Sequence, residues 1–274
     1  MSEQPRESAE ADRRGGEGRS AQQGDWAQTW IGGSTIDSIS VAGRDLPGDV
    51  MGKLTLTELT YLLVTRRDPT PSQRRLFDAV LVSLADHGLT PSALAARLTY
   101  TGAPEAIQGA VAAGLIGVGS VFLGPTGDTA EFLATAIARH GRADLGRTAA
   151  LAVEEQRAAG LRVPGLGHPI HKVEDPRTPR VYELAAEEGL LGPHLELLQL
   201  VAAVHADRSG KRLPINGAGA GGAALLDIGI PVEAVRGVVL VARTAGLVAH
   251  LVEEAAWPVG MPLYLEVDRR ANQT

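Results

Sequence analysis

"GLGHPIHKVEDPRTPR", residues 165–180, gathers two of the chain's seven histidines, a lysine and two arginines into sixteen positions. Gly165 and Gly167 precede and flank His168, and Pro169 comes directly after it, so the backbone here reads as a tight turn that a ligand can approach closely. Nine residues after the imidazole comes Arg177, whose planar guanidinium matches the fork of a carboxylate. It stands just ahead of a helix signalled by Thr178 in "TPRVYELAAEEG". A structural turn histidine and a surface salt bridge would also fit these two residues. The surrounding chain has to decide.

The 274 residues are 44% apolar, enough for a substantial core arranged as one large domain or two unequal ones. Ala, Leu and Val carry the apolar mass and aromatics are only 4%, which favours many packed helices over a sandwich. No cysteine occurs, so disulfide and thiolate chemistry are excluded and a reducing cytoplasm is the expected location. A net charge of −6 offers no general attraction to nucleic acid. The run "AVAAGLIGVGSVFL" is shorter than the roughly 20 residues a spanning helix needs, and the start lacks a secretory signal, so neither a membrane span nor export is expected. Small-molecule chemistry or protein binding remains.

Residues 1–25 have little to bury and read as a disordered tail. Trp26 and Trp30 can anchor the start of ordered chain, and the nearby "STIDSISVAGRDL" alternates as a short hairpin. Helix punctuation then becomes frequent: capping boxes at Thr55–Glu58 and Thr70–Gln73, and further starts at "TPSALAARL" and "DTAEFLATAIARHG", giving eight to ten helices without a repeat. In "RRLFDAVLVSLADHG" the stripe Leu76, Val80, Ser83, Leu84 continues to His87, which reads as the closing residue of a buried face, with Asp86 and the helix C-terminus favouring a protonated ring. A capping role fits His87 equally well. "VEAVRGVVLVARTAGLVAHLVEEA" puts Arg243 and His250 seven apart on one face of an apolar helix, where a charge must meet a ligand or an acid. The glycines of "GAGAGGAALLDIG" suit close helix packing; no strand precedes them to make a dinucleotide loop. His140 and His194 read as loop residues without a role.

Three segments together, "ADHG" (85–88), "GLGHPIHKVEDPR" (165–177) and "ARTAGLVAHLVEE" (242–254), resemble the citrate synthase superfamily, and within it citryl-CoA lyases and the corresponding module of ATP-citrate lyase. The resemblance spans about residues 30–265. It implies an all-α fold, with a large helical domain from 26–150 and 231–274, a small one from 151–230, and a cleft between them. It further implies a homodimer, coenzyme A as acyl carrier, an oxo or hydroxy acid as the other substrate, and no metal. On the same matching His168 faces the carbonyl or hydroxyl carbon, His87 contacts hydroxyl or carboxylate, and Arg177 and Arg243 grip carboxylates. Leu166, Gly167, Lys172, Lys211 and Arg212 would receive coenzyme A.

Two of the superfamily's usual catalytic positions differ. "GPTGDTAE" has Gly127 where a histidine is expected, and "PING" has Gly217 where an aspartate is expected; Met261 in "GMPLY" replaces an arginine. Asp128 and Asn216 are the available substitutes, although Asp128 also reads as a capping box with Glu131 and Asn216 as a turn residue. The expected function is cleavage or formation of a carbon-carbon bond in a 3-hydroxyacyl-CoA such as citryl-CoA, giving acetyl-CoA and an oxo acid such as oxaloacetate. The alternative is a catalytically altered member that binds CoA esters as a sensor or partner subunit.

Overall fold

Local signals in the chain account for several of the helix starts, where Thr70, Thr90, Asp144 and Asn216 cap with their side chains. The computed structural model describes residues 29–273, so the polar stretch 1–25 and Trp26 lie outside it. Contacts divide the chain into residues 1–55 and residues 56–274.

In the first unit, β1 (Gly32–Ser34), β2 (Ile39–Val41) and β3 (Arg44–Asp45) form an antiparallel sheet in that order. Val41 pairs with both Gly32 and Arg44. Ala42 and Gly43, at φ 53° and 73°, make the two-residue turn between β2 and β3, and positive φ at both centres is what a strand-matching tight hairpin requires. The expected hairpin is present. A short π-helical stretch, Leu46–Val50, comes next.

The second unit is helical: α1 (Leu56–Thr65), α2 (Pro71–Ala85), α3 (Pro91–Gly102), α4 (Ile107–Val118), α5 (Gly124–His140), α6 (Leu145–Ala158), α7 (Arg177–Glu187), α8 (Pro193–Ser209), α9 (Gly217–Asp227), α10 (Val232–Ala256) and α11 (Gly260–Ala271). α2 opens on the expected capping box, with Thr70 Oγ1 accepting from Gln73 N at 3.1 Å and Gln73 Oε1 from Thr70 N at 2.9 Å. α5 departs from expectation. Pro125 sits in its first turn and the chain runs on from α4 through a π-helical stretch, Gly119–Leu123, so Asp128 lies within the helix and caps nothing. α7 likewise starts at Arg177, ahead of Thr178, whose hydroxyl donates to Ile215 O at 2.9 Å. His140 and His194 belong to α5 and α8; the latter pairs with Asp227 at 2.7 Å.

α10 is the hub. It packs against α2, α3, α4, α5 and α9, burying Val235 and Val239 in the main core with Leu76, Val80, Leu133 and Leu225, and Leu247 in a smaller cluster with Ala96 and Ala110. By length and composition α10 and the helical run 107–140 could each cross a bilayer. The packing of α10 on five helices accounts for its buried apolar residues, while Val241, Val248 and Val252 stay exposed. Close approach at its middle requires a glycine: a Cβ added at Gly246 would overlap the carbonyl of Ala85 and lie 3.3 Å from Asp86 Cβ. The end of α2 is thereby seated on α10.

Gly246→Ala is expected to lose about 1–2 kcal/mol, overpacking outweighing the gain in helix propensity. That would lower Tm by roughly 2–4 °C per kcal/mol, as read by thermal melting. An unchanged or raised Tm would contradict the close seat.

Candidate active site

The turn at 165–172 owes its shape to two positive-φ glycines and to a clamp from the strand of chain before α9. Gly165 and Gly167 both sit at φ +82°. Asn216 N donates to Gly165 O at 3.0 Å and Gly167 N to Pro214 O at 2.7 Å, around an isolated bridge between Leu166 and Ile215. A Cβ at Gly219 would come within 2.6 Å of Gly165 Cα, so the glycines of α9 serve close packing as the sequence suggested. Asn216 is wholly engaged in this clamp. Its Oδ1 caps α9 by accepting from Gly219 N at 2.8 Å, and its Nδ2 donates to Gly167 O at 2.8 Å. The turn reading of this residue is the one realised.

Inside the turn, His168 Nδ1 accepts from the backbone N–H of Ile170 at 3.2 Å and of His171 at 3.0 Å. Its lone pair is therefore on Nδ1, and the neutral ring carries its proton on Nε2 as a donor. Burial lowers the pKa of this ring, and His171, Arg177 and His87 push it further down against an opposing pull from Asp175. Lys172 Nζ closes the turn by donating to His168 O at 3.1 Å.

His171, to which the sequence motifs assigned no role, stacks on His168 with ring centroids 4.5 Å apart. His87 completes the group, its centroid 5.7 Å from His168 and 6.3 Å from His171. The helix does not reach His87: α2 ends at Ala85, and Asp86 is extended with its carboxylate accepting from Gly88 N at 2.8 Å. Consequently His87 does not gain a proton from a helix terminus. Its pKa is lowered, first by burial and then by Arg177, Arg243 and His171.

The two arginines expected at the site are there. Arg177 is held by Asp175, which is fully buried and takes Arg177 Nε at 3.0 Å, Nη2 at 2.8 Å and the N–H of Gly217 at 2.8 Å. Burial would raise the Asp175 carboxyl, but the guanidinium and backbone donors hold it far below the usual carboxylate range. Arg243 is only 7% exposed, and its Nε has no hydrogen-bond partner. Burial lowers its pKa, as does Arg177, while Asp86 opposes them. Arg243 and His87 share a cavity of about 40 Å³ with Thr90, Ser92, Val118, Phe122 and Leu123.

Nitrogens of His87, His168 and His171 all lie within 4.8 Å of one another, a spacing compatible with a metal ion. The chemistry is not. The His168 lone pair faces two backbone donors, and Arg177 and Arg243 both bear on His87 with positive charge. Imidazoles and guanidiniums gathered this way suit an anion. The other expected contributors lie apart from the cluster or on its rim. Asp128 lines a separate cleft of about 290 Å³ with Glu131, Thr135, Arg139 and Glu155. Lys211 and Arg212 are exposed on the segment that leads into Ile215 and the clamp.

A family described as citrate synthase, C-terminal domain, matches residues 38–258. The chain belongs to this family. A solved citryl-CoA lyase from Hydrogenobacter thermophilus is 30% identical with a TM-score of 0.75, over 83% of this chain and 86% of that one. ATP citrate lyase from Methanosaeta concilii, solved with (3S)-citryl-CoA, has the same fold at 22% identity and TM-score 0.69, over 84% of this chain and 39% of that one. A curated citrate synthase of Deinococcus radiodurans is 27% identical over 197 residues, 70% of this chain and 50% of that protein, so the chain spans about half the length of this relative. These relatives are enzymes, and the citrate synthase-like all-α fold follows from them.

Two departures from the family pattern acquire a physical setting. A side chain added at Gly127 would meet Arg236 Cβ at 3.4 Å. One added at Gly217 would overlap the Arg177 guanidinium, so an aspartate there is incompatible with the Asp175–Arg177 pair as it stands.

Both His87 and His168 should titrate below the ordinary histidine midpoint of 6.5 in the free protein. They are then neutral at pH 7 and charge only in more acid solution. A bound carboxylate favours the charged rings, so it should raise both midpoints and bind more tightly as pH falls. NMR titration of the imidazole resonances with and without oxaloacetate reads both effects. Free-protein midpoints at or above 6.5, or midpoints that oxaloacetate leaves unmoved, would contradict the assignment.

Proposed function

We propose that the chain cleaves a 3-hydroxyacyl-CoA of the citryl-CoA type into an acyl-CoA and an oxo acid, and catalyses the reverse condensation. What carries the reading is the grouping of His168, His87, Arg177 and Arg243, with a buried Arg243 nitrogen left without a partner. Support also comes from 30% identity to a citryl-CoA lyase over most of both chains.

In this reading Arg243 and the remaining face of Arg177 hold carboxylates of the acid. The Nε2–H of His168 donates to the C3 oxygen, and His87, neutral at pH 7, takes the proton of the C3 hydroxyl. The C3–O bond becomes a carbonyl as the C2–C3 bond breaks, and the electron pair passes to the thioester enolate. That enolate carbon recovers the proton from His87, so the reaction is balanced without another reactant. Positioned acid-base groups of this kind each contribute roughly 10² to 10⁴ in rate. The backbone at Leu166 and Gly167, with Lys172, Lys211 and Arg212, receives the CoA phosphates and adenine. The exposed apolar residues Ile116, Val121 and Val252 would be covered in a homodimer.

A second reading, binding of CoA esters without turnover, is favoured by the glycines at 127 and 217. Incubating the purified protein with citryl-CoA separates the two. Release of acetyl-CoA and oxaloacetate supports the lyase; saturable binding of citryl-CoA with no product over hours supports the second reading and overturns the first.

If turnover occurs, His168→Ala should reduce kcat by about 10² to 10⁴, with little change in Tm because the ring lies in a loop. A near-normal kcat would remove His168 from the reaction. Arg243→Leu should raise KM for the dicarboxylic acid at least about tenfold, since it removes the charge that the ligand answers; a change confined to Tm would make that arginine structural.

A further inference from the structure

Arg97 on α3 is 1% exposed and so must be paired. Its Nη1 donates to Glu254 Oε2 at 3.0 Å, its Nη2 meets Glu253, and its Nε and Nη2 lie 3.1 and 2.9 Å from His250 Nδ1. Glu254 is itself fixed, accepting from Val259 N at 2.9 Å and Gly260 N at 2.7 Å. A guanidinium can only donate, so His250 Nδ1 is the acceptor and the ring proton sits on Nε2. That Nε2 is 2.8 Å from Asp86 Oδ1 and must donate to it.

Asp86 ends the chain of contacts at the candidate site. Burial would raise its carboxyl, but donors from Gly88 N, the His250 ring and His87 N bring it below the usual range. Its two backbone acceptances shape the turn on which His87 stands. It is also the anion that bears on Arg243. The Gly246 seat holds the same two helices together one helical turn before His250. Buried Arg97, on α3, is thus connected through one imidazole both to the turn that carries His87 and to Arg243 of α10.

We propose that His250 is a positioning residue: locked as the Nε2–H tautomer by buried Arg97, it anchors the Asp86 carboxylate and thereby fixes where His87 and Arg243 meet the acid. It touches no substrate. The proposal deepens the functional reading above and rests on it for the identity of the ligand.

The polarity of the link suggests its own control. A glutamine at 250 offers an acceptor for Arg97 and a donor for Asp86, whereas leucine offers neither. In the full-length protein His250→Leu should weaken oxaloacetate binding by about tenfold to a hundredfold, the scale expected of misplaced binding groups. It should leave the affinity for free coenzyme A within about twofold and shift the His87 imidazole resonances, because the link leads to the Asp86 turn and not to the segments proposed to receive coenzyme A. His250→Gln should restore oxaloacetate affinity to within about threefold of the original.

Unchanged oxaloacetate affinity and His87 resonances in His250→Leu would overturn the proposal. So would equal losses for both ligands, or a folded His250→Gln as impaired as the leucine variant. If the leucine variant does not fold, the nitrogen-15 spectrum of the unmodified protein still decides, since a charged His250 or an Nδ1–H tautomer contradicts the link. If the unmodified protein binds no oxaloacetate, the functional reading fails separately, and the tautomer with the His87 resonances alone judges the role of His250.

Discussion

Arg243 lies in the middle of the longest core helix, 7% exposed and with its Nε unpartnered, and burying a cation in this way is costly unless something answers its charge. Asp86 bears on it electrostatically without forming an ion pair of salt-bridge length with it. The rest of the site is arranged around this incomplete compensation. His87 shares its cavity, Arg177 adds a second guanidinium nearby, and partial burial together with the neighbouring cations lowers the pKa of His87 and His168, which limits the repulsion until an anion arrives.

Holding such groups together requires rigid support, which comes from two places distant in sequence. The His168 turn is clamped to the segment 214–219 by backbone hydrogen bonds and by the Asn216 amide, whose Nδ2 donates to Gly167 O while its Oδ1 caps α9. Arg177 is fixed by Asp175, whose carboxylate also takes the first N–H of α9. The glycines of α9 thus have a consequence for chemistry: at 217 and 219 only the absence of a side chain lets the Arg177 pair and the His168 turn come close enough. A helix-packing feature and a feature that builds the candidate site are the same feature.

Much of this was legible in the residues. Thr70 and Gln73 give a reciprocal cap whatever surrounds them, and Ala42–Gly43 closes a hairpin by local backbone preference. The grouping of His168, Arg177, His87 and Arg243 came from the resemblance of three motifs, since no local rule brings residues 87, 168 and 243 together. Errors arose where long-range structure overrides a local signal. Asp128 and Glu131 look like a helix start, yet the chain already enters helical from α4 with Pro125 in its first turn. His87 looks like the last turn of α2, yet Asp86 turns its carboxylate to the N–H of Gly88 and ends the helix earlier. Asp175 and His250 act through partners 42 and 164 residues away, which no spacing rule exposes. His171 was nearer to hand, three residues after His168 in the same turn.

The claim that these side chains converge on one acid beside a thioester is tested most directly by a crystal structure of the protein with oxaloacetate and coenzyme A bound. The account requires a carboxylate within hydrogen-bond distance of Arg243 and the acid's carbonyl oxygen at His168 Nε2, with the thiol end of coenzyme A next to them. An acid bound elsewhere, with the Arg243 Nε still unpartnered in the complex, would contradict it.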